Sequence, residues 1–455
     1  MRVFLVQTAR GLFSSSGGYK SNHALLRYLA SNGHRVRQLC YSHSGEIESF
    51  LQTRTKSGQL DPQLRTKALH IRSKDGQAGV NVKVNELCID DGVEAVSIDS
   101  EAFDEAFGGK MVLHGQLNKM SAEYIETGIS SPPLMDFISF LREEIRSFRP
   151  THIISNDGLS MQVSFDPELS NLAMTRIAII HTAEQLPFGP FSGGIPGQSA
   201  TTREADLLER MDGVWSVSEV IKNYTFDHGQ LQSRFLVHHP WTYLIGEYHE
   251  MPKHLCNWNK RYIAMVNPCP VKGSSIFINL AKACPQYEFL AFISWGTNEK
   301  ILDQMNDLPN ITTHSPCANH EDLWRDIKVL VVPSLWCEAW GMVVVEAHLR
   351  GIPVVSSNAG ALSEAMLGLD YIIPVNAING EHDEWGPYII PEQETEPWVR
   401  AITRLMEDRD EYEENSFNVR DTTQRWLESR DTTEIETWMM DLEVGSKKNV
   451  ISAHI

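Results

Sequence analysis

Short runs of apolar residues recur along the chain, and segments with the length and spacing of helices separate them. Uninterrupted apolar runs of this length predict strands that are buried on both faces, as in a parallel sheet. The alternation of the two patterns predicts an α/β fold. The predicted strands are 3–6, 36–41, 152–155, 177–180, 213–218, 235–238, 262–266, 289–293, 329–332 and 352–356. The predicted helices include 19–32, 219–228 and 274–283, and residues 132–148 are expected to contain an amphipathic helix.

A chain of 455 residues is too long for one hydrophobic core, so two domains are expected. Residues 241–259 are polar and aperiodic, which is typical of a hinge. The predicted division is an N-terminal domain over 1–240, a second domain over 241–430, and a closing helix and tail over 431–455. Residues 42–110 are weakly patterned and are interpreted as strand and helix fragments of the first domain. Closing helices and loops are expected at 384–386, 397–406 and 426–442. Residues 447–455 are expected to form a mobile tail.

The most informative stretch is residues 328–364. The apolar run 329–332 is followed by a loop, and Gly341 then begins a segment of helical length that Gly351 ends. The next predicted strand, 352–356, completes a strand–helix–strand unit. Ligands of open α/β sheets bind at the carboxyl ends of such strands, so the loop before Gly341 is a candidate ligand site.

Two carboxylates lie in this candidate site. Glu338 is on the loop, and Glu346 is eight residues further on, within the predicted helix. The start of that helix offers backbone N–H groups and a positive dipole end, which suit a phosphate. A carboxylate on the helix can accept hydrogen bonds from a pair of sugar hydroxyls, and Glu338 could meet a second sugar. A surface-charged strand–helix–strand unit with no ligand is the simpler alternative.

The sequence EAWGMVVVE at 338–346, followed by GIPVV at 351–355 and GALSE at 360–364, resembles the donor site of family-4 retaining glycosyltransferases. The resemblance implies the GT-B fold, in which two Rossmann-like domains face each other across a cleft. It also implies a hexosyltransferase that moves a sugar from a nucleotide sugar to an acceptor hydroxyl with retained anomeric configuration. The motifs cover the second domain strongly and the first weakly, and the last helix would cross back to the first domain.

The resemblance also implies the residues of a donor site. Lys272, which precedes Gly273 in a strand-to-helix loop, matches the lysine that places an ammonium group on the diphosphate. Family members often have an arginine five residues before that lysine, and this chain has Asn267 there. Residues 312–319 would lie near the base of the nucleotide. The implied donor-binding residues are Gly17, Gly18, Asn267, Lys272, His314, Ser315, Glu338, Trp340, Gly341, Met342, Val343 and Glu346.

His181 follows the predicted strand 177–180 and matches a family histidine that approaches the acceptor and the donor sugar. The implied catalytic residues are Glu338, His181 and Lys272, and the expected acceptor-binding residues are Asp157, His181, Pro187, Phe188 and Phe191. Simpler roles remain open: a strand-end histidine bonded to backbone, a solvated loop lysine, and a Gly17–Gly18 turn without a ligand. The irregular loop 185–200 is expected to shape the acceptor site, and its aromatic residues fit a small hydrophobic aglycone, although a soluble sugar would also fit.

No cofactor or metal is expected besides the nucleotide sugar, which we expect to be a UDP-sugar. Family members need no metal, and the adjacent His238 and His239 have no third ligand at a metal-like spacing. The net charge of −19 disfavours nucleic acid or an anionic membrane as a partner. Seven widely spaced cysteines without a CxxC motif, and no apolar run of membrane-spanning length, suggest reduced thiols and a cytoplasmic protein without integral membrane contact. The oligomeric state stays open.

Two other functions share these sequence features. A GT-B epimerase or phosphorylase would have the same donor site but would pass the sugar to water or phosphate. A non-catalytic nucleotide-binding protein would bind the nucleotide without turnover, which the presence of Glu338, Glu346 and Lys272 together argues against.

Overall fold

The computed structural model describes residues 1–10, 17–56, 64–74, 78–90, 92–107, 115–192, 201–240, 251–294, 296–315, 323–384 and 386–452. The chain divides into two compact units. Unit 1 comprises Met1–Val217, Ile221–Tyr243 and Thr432–Ile455, and unit 2 comprises Ser218–Val220 and Leu244–Asp431. Residues 241–250 of the predicted hinge, 193–200 of the predicted acceptor loop and 316–319 near the predicted base site lie outside the described residues.

Unit 1 is built on a sheet whose described strands have the order β3-β4-β5-β2-β1-β6-β7-β8-β9. All neighbouring pairs from β5 to β9 are parallel, and β3 and β4 extend the sheet as antiparallel strands. The strands are β1 (Arg2–Arg10), β2 (Arg35–Ser42), β3 (Arg65–Arg72), β4 (Gly79–Asp90), β5 (Val93–Asp99), β6 (His152–Ser155), β7 (Thr175–Ile180), β8 (Gly213–Ser216) and β9 (Phe235–Val237).

Helices cover both faces of this sheet, because its central strands are apolar on both sides. They are α1 (Gly17–Ser31), α2 (Ser44–Lys56), α3 (Ser100–Ala106), α4 (Gly115–Thr127), α5 (Pro132–Phe148), α6 (Gly158–Ser164), α7 (Thr202–Arg210) and α8 (Glu219–Gly229), with 3₁₀ turns at Pro167–Leu169 and Ala183–Gln185. One face buries α5 through residues such as Phe137 and Leu141, and the opposite face buries α1 through Leu25 and Leu29.

Unit 2 is built on a fully parallel sheet with the order β12-β11-β10-β13-β14-β15 among the described strands. The strands are β10 (Tyr262–Val266), β11 (Glu288–Phe292), β12 (Ile311–His314), β13 (Ile327–Val332), β14 (Val354–Ser357) and β15 (Ile372–Ile373). The helices are α9 (Ser274–Ala283), α10 (Glu299–Asn306), α11 (Met342–Leu349), α12 (Leu362–Ala365), α13 (Glu396–Glu407) and α14 (Arg409–Glu428), with 3₁₀ turns at Asn257–Asn259 and Pro270–Lys272.

The last helix, α15 (Glu434–Ser452), belongs to unit 1 although it follows unit 2 in the chain. Its residues Met439 and Leu442 are buried in the same cluster as Val3 of β1. The carbonyl of Met439 also lies 3.0 Å from Nε2 of His152 in β6. The predicted mobile tail is therefore wrong up to Ser452, because these residues continue the helix, and residues 453–455 lie outside the described part of the chain.

Two further features concern the length of the helices and the cysteines. In the part of the chain that the structure describes, no helix combines the length and apolarity needed to cross a membrane. Among the described cysteines, Cys40, Cys256, Cys269 and Cys284 have free thiols.

His348 on α11 is fully buried, and neither of its ring nitrogens has a hydrogen-bond partner among the described residues. Burial lowers its pKa from 6.5 to about 3. An unpaired buried polar group costs about 1–3 kcal/mol. His348→Leu is therefore expected to raise the free energy of unfolding at pH 7, measured by urea denaturation.

The pH dependence of this effect follows from the direction of the pKa shift. Between pH 6.5 and about 3 the unfolded state binds a proton at His348 that the folded state does not bind, so the wild-type protein loses stability as the pH falls. At about 1.4 kcal/mol per pH unit, the advantage of His348→Leu should grow by about 2 kcal/mol between pH 7 and pH 5. An advantage of the same size at both pH values would contradict this assignment.

Candidate active site

In unit 2, the loop that carries Lys272 is fixed to the carboxyl end of β13. The carbonyl of Val271 accepts hydrogen bonds from the backbone N–H groups of Leu335 and Trp336, both at 3.0 Å. Gly273 follows with a φ of +80°, and a Cβ there would lie only 1.9 Å from the carbonyl oxygen of Pro333. Glycine is therefore required for the loop after β10 to lie against the loop after β13.

This packing brings Lys272 and Glu338 together. Nζ of Lys272 lies 2.5 Å from Oε1 of Glu338, and it also lies 5.5 Å from the ring centre of Trp336. The side chains are 25% and 15% exposed, so both remain within reach of a ligand. Two of the predicted catalytic residues therefore form an ion pair at the carboxyl ends of adjacent strands.

The backbone of Glu338 is held on both sides. Its N–H donates to the carbonyl of Trp336 at 2.7 Å, and its carbonyl accepts from the N–H of Ala361, also at 2.7 Å. A Cβ at Gly360, whose φ is +57°, would lie 2.2 Å from the nitrogen of Glu338 and 2.4 Å from its carbonyl oxygen. This close approach between backbone segments fixes the position from which the Glu338 side chain projects.

Helix α11 begins directly after the Glu338 loop, as the sequence pattern predicts. Gly341 precedes the helix with a φ of +146°, and no side chain caps the helix start. Met342 and Val343 form the first turn, and both are half-buried. Glu346 is half-buried one turn further along, and its carbonyl accepts a hydrogen bond from Arg350 at 2.8 Å.

The other predicted donor residues are more varied in their environment. Oδ1 of Asn267 accepts a hydrogen bond from the N–H of Gly296 at 3.1 Å, which links the loops after β10 and β11. His314 and Ser315 are exposed at the end of β12. Trp340 is buried, and its ring centre lies 5.8 Å from that of Trp426.

In unit 1, the Gly17–Gly18 pair begins α1 next to His181. A Cβ at Gly18 would lie 3.3 Å from the imidazole ring, and Nε2 of His181 lies 2.7 Å from Oδ1 of Asn22 on the same helix. Since an amide oxygen only accepts, Nε2 carries the proton in this arrangement and Nδ1 is left as an acceptor. Burial lowers the pKa of His181 to about 4, so the ring is neutral at pH 7.

Gln185 joins the ends of two strands in unit 1. Its Oε1 accepts from the N–H groups of His181 and Thr182, at 2.6 and 3.1 Å, and its Nε2 donates to the carbonyl of Asn156 at 2.9 Å. Gln185 begins the loop 185–200 that is expected to shape the acceptor site, whereas Asn22 is not among the predicted site residues. The Thr182–Gln185 spacing of a capping box is a sequence signal for the first, and nothing in the sequence marks the second.

The predicted acceptor residues are divided by the structure. Asp157 follows β6 and caps α6 by accepting a hydrogen bond from the N–H of Ser160 at 2.8 Å. Pro187 is half-buried. The ring of Phe191 packs against Tyr224, and the ring of Phe188 lies against Gly229 at the end of α8. The two aromatic rings are therefore used to attach the segment to α8 and do not form an open apolar platform.

Among the described residues, no group of three or more His, Cys, Asp or Glu side chains is arranged to hold a metal ion. In the donor site of unit 2, the charged groups of Lys272 and Glu338 lie together as an ion pair. Metal-free donor binding stays a prediction.

Comparison with known proteins now adds to this geometry. Residues 262–408 match the family model described as "Glycosyl transferases group 1". No curated protein matches the chain. Solved structures do match nearly its full length.

The catalytic domain of starch synthase IV from Arabidopsis thaliana, bound to ADP and acarbose, is similar with a TM-score of 0.64 and 12% identity, over 98% of this chain and 99% of that chain. Sucrose-phosphate synthase from Thermosynechococcus elongatus is similar with a TM-score of 0.62 and 15% identity, over 99% of both chains. HepE from Anabaena, in complex with UDP-glucose, is similar with a TM-score of 0.55 and 13% identity, over 97% of this chain and 98% of that chain. The chain thus has the predicted GT-B fold and carries a glycosyl transferases group 1 domain at 262–408, and the protein is a glycosyltransferase.

Proposed function

We propose that the protein is a family-4 retaining glycosyltransferase that moves a sugar from a UDP-sugar to a hydroxyl group of a small-molecule acceptor. The reaction would need no metal ion. The observation that carries the proposal is the Lys272–Glu338 pair beside the uncapped start of α11, within the segment that matches the family model. HepE, which is similar in structure, was solved with UDP-glucose, and this supports a UDP-sugar as the donor.

In the proposed reaction, the acceptor oxygen forms a bond to the anomeric carbon while the bond from that carbon to the diphosphate oxygen breaks. The acceptor attacks on the face from which the diphosphate leaves, and a diphosphate oxygen takes the acceptor proton. Lys272 and the N–H groups at the start of α11 stabilise the charge that develops on the diphosphate. Glu338 holds the donor sugar and stabilises positive charge at the anomeric carbon, and Glu346 holds the ribose.

His181 has a different role in this proposal. Its ring is neutral at pH 7, so it can position hydroxyl groups by hydrogen bonding without carrying a charge. Asn22 holds the ring through Nε2, which leaves Nδ1 to accept a hydrogen bond from a sugar or acceptor hydroxyl.

Donor binding is tested by thermal denaturation with UDP-, GDP- and ADP-glucose, each with and without EDTA. A ligand that binds only the folded state at 100 times its dissociation constant adds about 2.7 kcal/mol of stability, so UDP-glucose should raise Tm and EDTA should not reverse the shift. Lys272→Met should reduce the shift, because it removes the ammonium group from the diphosphate site. Equal shifts in both proteins would remove Lys272 from the donor site.

Stereochemistry is tested by following the anomeric configuration of the product by NMR. We expect retained configuration with an acceptor present. Inversion would contradict the retaining mechanism, release of free sugar or sugar phosphate as the main product would favour the epimerase or phosphorylase alternative, and nucleotide binding without turnover would favour a non-catalytic protein.

A further inference from the structure

Four arginines of unit 1 lie together at the amino edge of its sheet. Arg2 begins β1 and Arg35 begins β2, and the two residues are paired in the parallel ladder. Arg37 follows two positions later, on the same face of β2. Arg149 follows α5 directly, and it reaches the same edge because the N–H of Thr151 donates to the carbonyl of Arg2 at 2.9 Å. The candidate site residues of unit 1 are at the opposite, carboxyl edge.

Three of the guanidinium groups lie against one aromatic ring. Phe148, the last residue of α5, is fully buried. The guanidinium carbons of Arg37, Arg35 and Arg2 are 4.8, 5.0 and 5.2 Å from the centre of its ring. A contact of this kind attracts the cation to the ring, but the N–H groups of a guanidinium still need acceptors. The ring therefore holds three cations close together without completing their hydrogen bonds.

The carboxylates beside this cluster are shared among several cations. Glu94 accepts from Nε of Arg35 at 2.7 Å and from Nη2 of Arg37 at 2.6 Å. Nη1 of Arg37 is also 3.6 Å from Oε2 of Glu144, but Glu144 binds Lys67 as well. One carboxylate thus serves two guanidinium groups, and the next one serves a guanidinium group and an ammonium group.

Arg2 and Arg149 have no carboxylate of their own. Neither side chain forms an ion pair among the described residues, and Nε of Arg2 is buried without a hydrogen-bond partner among them. Burial lowers the pKa of Arg2, the charges of Arg35, Arg149 and Arg37 lower it further, and the charge of Glu94 offsets part of this effect. Arg2 therefore lies in a region of excess positive charge, although the net charge of the chain is −19.

Other acidic groups near this edge are engaged elsewhere. Glu86 binds Lys67 at 2.6 Å, and Glu436 of α15 lies 2.6 Å from Nε2 of His34. Glu443, also on α15, raises the pKa of the histidine that begins β6. Like charges opposite each other in a sheet are destabilising, so the pairing of Arg2 with Arg35 favours the binding of a further anion.

A phosphate group has the chemistry that this cluster lacks. Each guanidinium presents its N–H groups as a planar fork, which matches two oxygens of a phosphate. A phosphate monoester also carries about two negative charges at pH 7, enough to compensate both Arg2 and Arg149. A neutral sugar would compensate neither of them.

We propose that Arg2, Arg35 and Arg149 bind the phosphate group of a small molecule at the amino edge of the sheet of unit 1. Free phosphate and a phosphate monoester share this chemistry and are the two sources to be distinguished. The site does not depend on the proposed glycosyl transfer, because none of the three arginines belongs to the donor or acceptor residues.

Binding is tested by isothermal titration calorimetry of the full chain at low ionic strength, with inorganic phosphate and glucose 6-phosphate as probes. At least one of them should bind, and the tighter of the two identifies the source. A rise from about 50 to 200 mM NaCl should weaken binding, because salt screens exposed charges. The absence of binding for both probes up to about 10 mM, which corresponds to less than about 3 kcal/mol of binding free energy, would overturn the proposal.

Arg149→Gln locates the bound phosphate. Arg149 is exposed, and loss of its charged hydrogen bonds should raise Kd at least about tenfold. Arg146→Gln is the matched control, because Arg146 is an exposed arginine of the last turn of α5 that is paired with Glu143 and Glu168. It should leave Kd unchanged, and so should Lys272→Met in the donor site. If Lys272→Met abolishes binding and Arg149→Gln does not, the phosphate is held by the donor site and the inference fails while the proposed function stands.

The melting temperature separates binding from a structural role. Without phosphate, Arg149→Gln should not lower Tm, because it removes a charge that repels Arg2. With phosphate, Tm should rise more in the wild-type protein than in Arg149→Gln, since the ligand binds only the folded state. A lower Tm for Arg149→Gln without phosphate, together with an unchanged Kd, would show that Arg149 serves the fold alone and would overturn the assignment.

Discussion

Replacing Glu338 by glutamine is expected to lower kcat about 10²–10³-fold, because the variant loses a charge that stabilises the transition state. Glutamine keeps the size of the side chain, and the backbone contacts of residue 338 with Trp336 and Ala361 do not depend on the carboxylate. The variant should therefore fold as the wild type does. The measurement is kcat with UDP-glucose and saturating acceptor, together with the melting temperature.

Lys272→Met should lower kcat by a similar factor, since the ammonium group of Lys272 is the cation that the structure places beside Glu338. The two substitutions should be non-additive, because each breaks the same ion pair and the double variant has no further pair to lose. Lys260→Met is the matched control: it breaks an exposed ion pair with Asp326 in the same unit, at 3.0 Å, and should leave kcat unchanged. Near wild-type turnover in both Glu338→Gln and Lys272→Met would remove the pair from the chemistry.

The pattern of the sequence predicts well those elements that are apolar on both faces. The strands β6 and β10 and the helix α9 have the predicted bounds, His152–Ser155, Tyr262–Val266 and Ser274–Ala283. Each of these strands has a neighbour on both sides in its sheet and is buried along its middle, so its central residues are apolar. Local sequence is then sufficient, because every position meets the same environment.

Elements with one exposed face were harder to predict. In β4, Val80, Val82 and Val84 alternate with polar residues, which is the pattern of an antiparallel strand buried on one side. The polar residues between the valines break the apolar run, so residues 42–110 are predicted only as strand and helix fragments. In α14, the buried stripe includes Ser416 and Thr423, so small polar residues hide the helical period of the core-facing side.

The part of the candidate site that lies within one local motif was predictable from the sequence. Glu338, Gly341 and Glu346 lie within nine residues, and the helix that follows the loop orders them. The contact of Lys272 with Glu338 depends on β10 lying next to β13 in the sheet, which is a property of the topology and not of either segment. The positions of Phe188 and Phe191 likewise depend on Tyr224 and Gly229, more than thirty residues away in the chain, and their burial could not be inferred from the loop itself.

Gly360→Ala is expected to lower kcat about 100-fold, although residue 360 has no side chain to take part in the reaction. The new Cβ would lie 2.2 and 2.4 Å from the nitrogen and carbonyl oxygen of Glu338, and both are backbone atoms held by hydrogen bonds. Relief of the overlap must therefore move the loop that carries the carboxylate. A displacement of about 1 Å at a reacting group can reduce the rate about 10²-fold.

The control for this variant is Gly368→Ala in the same unit. Gly368 also has a positive φ, +80°, but a Cβ there would have nothing within 4 Å. Both variants carry the backbone strain of alanine at positive φ, about 1–2 kcal/mol, so both should lower the melting temperature. Only Gly360→Ala has the additional overlap with Glu338, so the difference in kcat between the two reports the position of the carboxylate and not the loss of stability. Equal kcat values in two folded variants would show that turnover does not depend on the position of Glu338 that the contact with Gly360 fixes.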